Sequence, residues 1–193
     1  MKEHVILFGA PGSGKGTQSS ALQKHFNLKH ISTGELLRAE IKKDSAIGRL
    51  AKDLIDKGQL VPDEVMLQII EQLICDRSTQ EGGVIFDGFP RTVAQAQALN
   101  EILEKHQQKV RCFIELFVPD EELVDRLLKR GLESGRSDDN LETIKKRIAL
   151  YHSTATPIAE FYQTLGIRST VQGTGSIEDI TQRLLNVIEK VAE

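Results

Sequence analysis

Cysteine is scarce in this chain of 193 residues, where only Cys75 and Cys112 occur. Both fall in apolar periodic stretches and neither belongs to a C-x-x-C pair, which argues against a disulfide scaffold or a zinc site; buried free thiols are expected instead. Long hydrophobic runs are missing too. No stretch approaches the ~20 apolar residues that cross a bilayer, so no membrane association is expected. There is no basic excess, because 25 Lys and Arg face 28 Asp and Glu for a net charge of −3. A broad nucleic-acid-binding surface needs such an excess, and any polyanion site must therefore be local. Met1-Lys2-Glu3 leads directly into His4-Val5-Ile6-Leu7-Phe8, an apolar stretch too short and too soon met by glycine for a secretory leader, so a cytoplasmic protein is expected. The histidines, His4, His25, His30, His106 and His152, share no ligand spacing and read as structural or surface residues. Repeats, coiled-coil heptads and extended apolar surface stripes are also lacking, and a monomer is expected.

Alternation of strand-like and helical runs fills the whole length. Val5 to Phe8, Val84 to Phe86, Val110 to Val118 and Ile167 to Val171 are rich in β-branched or aromatic residues, and Leu28 to Ile31 offers a fifth strand. Helical stretches separate them, so the pattern predicts an α/β fold in which a parallel sheet is flanked by helices. Asp63 after Pro62, Asp120 after Pro119, and Ser176 with Asp179 three residues on mark helix starts. Two segments interrupt the rhythm. Residues 32–61 read as helix-helix, Glu35 to Lys42 and then Ala46 to Lys57, while 130–139 reads as a polar loop broken by Gly131 and Gly135. These would be mobile flaps on a core formed by 1–31, 62–128 and 140–193, with the second flap counted as 129–139.

Gly9-Ala-Pro-Gly-Ser-Gly-Lys15-Gly16-Thr17 directly follows the first strand and opens a helix, the context in which a P-loop has physical meaning. Backbone N–H groups of Gly12, Ser13, Gly14, Lys15, Gly16 and Thr17 can turn onto phosphate oxygens, the helix N-terminus adds partial positive charge, and the Lys15 ammonium reaches the terminal phosphates. Gly16 occupies the position where the general motif has the Ser or Thr that touches Mg²⁺. The metal is then expected to be held through ATP and water, with Asp87, at the end of the Val84-Ile85-Phe86 strand, the nearest carboxylate. A turn Asp before Gly88 is the alternative reading of Asp87.

An Asn/Thr-Lys-x-Asp base-reading element and an Asp-x-x-Gly switch are both absent, which argues against a guanine-nucleotide switch. Arginines instead stand in unusual places: Arg38 after Leu36-Leu37, Arg91 after Gly88-Phe89-Pro90, Arg130 and Arg136 around the glycine-broken loop, and Arg147 on the flank of the stripe Leu141, Ile144, Ile148, Tyr151. Any one of them reads as a surface residue, as Arg49, Arg77, Arg168, Arg183, Lys145 and Lys146 do. Together with Lys15 they match two bound nucleotides whose phosphates carry roughly −6 before metal binding.

The segments GAPGSGKGTQ, STGELLR (32–38), VPDE (61–64), FDGFPRT (86–92) and SGRSDDN (134–140) resemble, in this order, the adenylate kinases of the nucleoside monophosphate kinase family. That resemblance spans nearly the whole chain. It implies a P-loop NTPase-like core with a five-stranded parallel sheet, a small helical lobe that binds the monophosphate (32–61) and a short lid (129–139). Transfer of the terminal phosphoryl of Mg-ATP to AMP is the implied reaction. Carried over by residue, the 12–17 turn, Arg130 and Gly175 would meet ATP; Thr33, Arg38, the Gln59-Leu60-Val61 backbone, Gly88, Phe89, Pro90, Arg91, Gln95, Arg136 and Arg147 would meet AMP. Lys15, Arg91, Arg130, Arg136 and Arg147 would act on the transferring group. Thr33 and Gln95 favour adenine, because UMP/CMP kinases typically have Ala and Asn there; a UMP/CMP or other monophosphate kinase is the alternative, and a nucleotide-binding module without turnover is a further one. Gln95 also reads as an exposed helix residue. The lid lacks the cysteine cluster of long-lid relatives, so no zinc is expected. Gly131 and Gly135 are expected to free the lid as hinges, and Asp138 or Asp139 to pair with its arginines or backbone.

Overall fold

A computed structural model describes residues 2–75 and 83–191; Arg77 lies outside them. In chain order the elements are β1 (Lys2–Gly9), α1 (Lys15–Phe26), β2 (Lys29–Ser32), α2 (Thr33–Lys42), α3 (Ala46–Asp56), α4 (Asp63–Cys75), β3 (Val84–Asp87), α5 (Val93–Lys105), β4 (Gln108–Phe117), α6 (Asp120–Ser134), α7 (Leu141–Thr164), β5 (Arg168–Gln172) and α8 (Ile177–Lys190). The five strands form one sheet in the order β2-β3-β1-β4-β5, and every pairing is parallel. The expected α/β architecture is therefore present, with all five predicted strands in the sheet.

Side-chain alternation along β1 explains why helices cover both faces. Ile6 and Phe8 enter a core with Phe86, Phe113, Leu99 and Tyr162, whereas Val5 and Leu7 enter another with Ile85, Ile114, Leu22 and Leu184. Successive residues of a strand point to opposite faces, so a central strand buried on both sides reads as a continuous apolar run. Gly9 ends β1 between β3 and β4, where the chain order reverses direction across the sheet. The carboxyl end of the strands at such a switch point is where an open α/β sheet leaves a crevice.

Short polar residues start the helices around that crevice. Ser45, Thr92, Asn140 and Ser176 each accept a hydrogen bond at the helix N-terminus, from Gly48 N, Gln95 N, Thr143 N and Asp179 N. Each bond satisfies an amide that helix geometry leaves unpaired. The α2–α3 pair packs closely, and its packing depends on Gly48, where a Cβ would stand 2.1 Å from Glu40 O.

Three expectations need correction. The polar loop of 130–139 is shorter than the sequence suggested, because α6 continues through Gly131 to Ser134 and ends on Gly135 at φ 63°. Gly131 is a helical residue whose added Cβ would lie 2.8 Å from Asp139 O, so it serves close packing and not hinge freedom. Cys112 is buried as expected, but Cys75 is exposed, because the apolar stripe of α4 buries Met66, Ile70 and Ile74 and leaves its last residue outside.

Candidate active site

A cavity of about 710 Å³ opens at the carboxyl ends of the central strands. It collects every site residue singled out in the sequence except Ser13, which is buried beneath the turn with 1% exposure. The turn joining β1 to α1 forms one wall. Gly12 adopts φ +86°, and a Cβ there would meet Leu127 Cγ at 2.9 Å; both the dihedral and the contact require glycine. Lys15 folds back over the turn, its Nζ donating to Gly9 O at 2.8 Å and Ala10 O at 2.9 Å. Burial lowers its pKa to about 8 against the opposing charge of Asp87.

Arginines from five separate segments face this turn. Arg38 comes from α2, Arg91 from the loop before α5, Arg130 from α6, Arg136 from the loop between α6 and α7, and Arg147 from α7. Arg91 Nε donates to Gly88 O at 2.7 Å. The side chain keeps exposed surface, yet the walls of the cleft strip away enough water to lower its pKa to about 10, with Arg147 adding to the effect. Burial and then Arg136 likewise lower that of Arg38. Crowded cations that disfavour their own charge are the electrostatic complement of a polyanion, whose arrival removes the repulsion.

Carboxylates hold part of the cluster in place. Asp139, with no exposed side-chain surface, accepts from Arg130 Nε at 2.7 Å and Nη2 at 2.8 Å, and from Arg147 Nη1 at 3.0 Å. Arg147 also pairs with Asp138 at 2.7 Å. The expected pairing with an arginine of the 129–139 segment is present at Asp139, through Arg130, whereas the partner of Asp138 is Arg147 of α7. Burial raises the Asp139 pKa, but the Arg130 hydrogen bonds outweigh it and the net shift is downward.

Asp87 ends β3 with 8% exposure. Its Oδ2 lies 3.2 Å from His30 Nε2. Burial raises its pKa, yet the His30 hydrogen bond and the Lys15 charge overcome this and keep it ionised. A simple turn role does not account for a buried carboxylate beside the lysine. Thr33, 1% exposed, donates to Gly88 O at 3.0 Å. Gln95 is not an exposed helix residue: it is 2% exposed and lines the cavity. The Phe89–Pro90 peptide is cis.

Two residues escaped the sequence reading. Arg126 lines the cavity, anchored by Gly173 O at 2.9 Å and by Glu122; its spacing of four from Arg130 on one helix was the available signal. His30 meets Asp87 only through the pairing of β2 with β3, where Ser32 and not His30 stands opposite Asp87, and no local pattern reveals that. Among residues set aside as surface, Arg168 instead bonds Glu115 at 2.9 Å while half-buried.

The family model described as adenylate kinase matches residues 7–167. An adenylate kinase of Phocaeicola vulgatus is 48% identical over 188 residues, covering 97% of this chain and 99% of that protein. The chain belongs to the adenylate kinase family. Other relatives named adenylate kinase include one from Porphyromonas gingivalis, 48% identical over 97% of this chain and 96% of its own length, and one from Leptospira biflexa, 45% identical over 96% of this chain and all of its own. Membership accounts for the P-loop turn on a five-stranded parallel sheet flanked by helices. Among the described residues, no group of three or more His, Cys, Asp or Glu is placed to hold a metal, and no helix is long and apolar enough to cross a membrane.

Proposed function

We propose that the chain transfers the terminal phosphoryl group of Mg-ATP to AMP, giving two ADP, and that the reaction takes place in this cavity. The convergence of Arg38, Arg91, Arg130, Arg136 and Arg147 on the Lys15 turn supports this reading best. A module that only bound ATP would need the turn but not five arginines facing it. ATP phosphates lie on the turn of residues 12–17 with Arg130 and Gly175; the AMP phosphate meets Arg38, Arg91, Arg136 and Arg147. Thr33, Gln95 and the Gln59-Leu60-Val61 backbone receive adenine.

No general base is required, because the attacking oxygen of AMP is already anionic near neutral pH. The side chains orient the two phosphates in line and neutralise charge on the equatorial oxygens, where one arginine can contribute about 10³ to 10⁵ in rate. Lys15, now bonded to Gly9 O and Ala10 O, exchanges those carbonyls for phosphate oxygens. Asp87 fits a magnesium ion that arrives with the nucleotide: its ionised carboxylate beside the turn would suit an ion that keeps most of its waters. When bound, Mg²⁺ would supply charge neutralisation to the phosphates, and Asp87 would be the residue that holds it through water. No zinc is used.

The lobe 32–61 and the lid 129–139 close over the substrates and keep water, the competing acceptor, away. Ser137 Oγ of the lid already donates to Asp56 Oδ1 at the end of α3 at 2.6 Å. The protein acts as a cytoplasmic monomer. The test is a panel of AMP, UMP, CMP and GMP as acceptors with Mg-ATP. Strong AMP preference is expected; a pyrimidine preference would overturn the assignment of Thr33 and Gln95.

A further inference from the structure

The Gln95 amide is held at both ends by groups that cannot exchange roles. Its Nε2 donates to Asp63 Oδ1 at 2.7 Å, and its Oε1 accepts from Arg91 N at 2.7 Å. An ionised carboxylate only accepts and a backbone N–H only donates, so the chemistry of the partners fixes which end of the amide is which. Asp63 is steadied in turn, because its Oδ2 accepts from Thr92 Oγ1 at 2.8 Å. That hydroxyl also caps α5 by accepting from Gln95 N at 3.1 Å. One carboxylate in the first turn of α4 thus sets the orientation of a side chain in the first turn of α5.

We infer that Asp63 is a specificity-positioning residue, which locks the Gln95 amide so that the site accepts a 6-amino purine and rejects a 6-oxo purine. The inference rests on the proposed use of AMP. After its two bonds, Gln95 has one N–H and one carbonyl lone pair left, and the residue lines the cavity. The Watson–Crick edge of adenine presents an amino donor beside a ring-nitrogen acceptor. Inosine and guanine present the reverse order, a carbonyl acceptor beside a ring N–H. An unrestrained amide could turn half a revolution and serve either edge. The locked one cannot, and at 2% exposure little water is available to fill in for a mismatched partner. A donor facing a donor in a dry site is the kind of mismatch from which large discrimination arises. Cytosine shares adenine's order along this edge, so the lock sorts amino from oxo bases and leaves ring size to the rest of the pocket.

The test compares AMP with inosine monophosphate, which has the same size and phosphate. Dissociation constants are measured by calorimetry, and kcat and KM with Mg-ATP, for the wild type, Asp63→Ala, Asp63→Asn and Thr92→Val. Asp63→Ala is expected to lower the AMP-over-IMP affinity ratio about tenfold, chiefly through weaker AMP binding, while KM for ATP stays unchanged. Asp63→Asn should retain most of the ratio, because the Asn carbonyl can accept from Gln95 Nε2 while its amide faces the Thr92 oxygen. Thr92→Val, which releases Oδ2 and also removes the hydroxyl cap on Gln95 N, should lower the ratio about threefold and carries the test should Asp63→Ala not fold. Equal loss for AMP and IMP, or an unchanged ratio in Asp63→Ala or in its substitute, would overturn the inference. A wild type that does not phosphorylate AMP at all would instead overturn the proposed function.

Discussion

The turn after β1 and the arginine cluster opposite it present positive charge to the same cavity, and they are built in opposite ways. The turn works through backbone: Gly12 at φ +86° and Gly14 at φ +94° give it its shape, and α1 begins at Lys15 immediately behind them. The cluster works through long side chains from five segments, kept in position by carboxylates such as Asp139. Backbone donors need little ordering on binding and cannot be discharged, whereas the arginines must be gathered by tertiary structure and repel one another until anions arrive. The turn thus suits the nucleotide that must be held firmly, and the cluster suits charge that develops during transfer.

Removing charge from either side should have the largest effects. Lys15→Met and Arg147→Met are each expected to lower kcat by about 10³-fold or more, measured by coupled ADP detection. They should differ in binding: Lys15→Met weakens ATP binding and Arg147→Met weakens AMP binding. Equal effects on both nucleotides would erase the division drawn here. Gly12→Ala attacks the backbone itself. The strained φ and the 2.9 Å contact with Leu127 should cost about 2 kcal/mol of stability in denaturant titration, with KM for ATP raised and that for AMP little changed.

Legibility in the sequence follows the same division. The turn is local, so its residues and its position after β1 could be read from a run of nine residues. All five strands were likewise readable: β1, β3 and much of β4 are buried on both faces and leave an apolar run, whereas the edge strands β2 and β5, with one buried residue each, showed only as short pieces with β-branched residues. The cluster is not local. Arg38, Arg91, Arg130, Arg136 and Arg147 stood out by their placement, but each read alone as a surface residue and only the order of family motifs assigned them roles; Arg126 and His30, which those motifs did not flag, were missed. The polar loop of 130–139 was read too long because Gly131 resembles a helix breaker, although Arg130 and Asp139 lock that turn of α6 in place and the glycine permits their close approach. Gln95 also read as an exposed helix residue, and only its burial against the cavity and its bonds to Asp63 and Arg91 N settle its place.

Smaller effects sharpen the comparison further. The Lys15 pKa is lowered by burial to about 8, so in the free protein the ammonium loses its proton as pH rises through that value. ATP phosphates favour the charged form and raise the pKa again. Binding near pH 9 should therefore take up a proton, and ATP affinity should fall as pH climbs beyond about 8. Calorimetry in two buffers of different ionisation enthalpy measures this uptake directly, and its absence in Lys15→Met assigns it. Ser137→Ala, which removes only the 2.6 Å contact between lid and lobe, should change KM for either substrate by less than about threefold.

The central claim is that one cavity holds two nucleotides with their phosphates facing each other and water excluded. Phosphorus NMR of the reaction of Mg-ATP with AMP tests it most directly. Two ADP should appear for each ATP consumed, without inorganic phosphate, and ATP alone should be hydrolysed at least about 10³-fold more slowly. Release of inorganic phosphate at a similar rate with and without AMP would contradict the account.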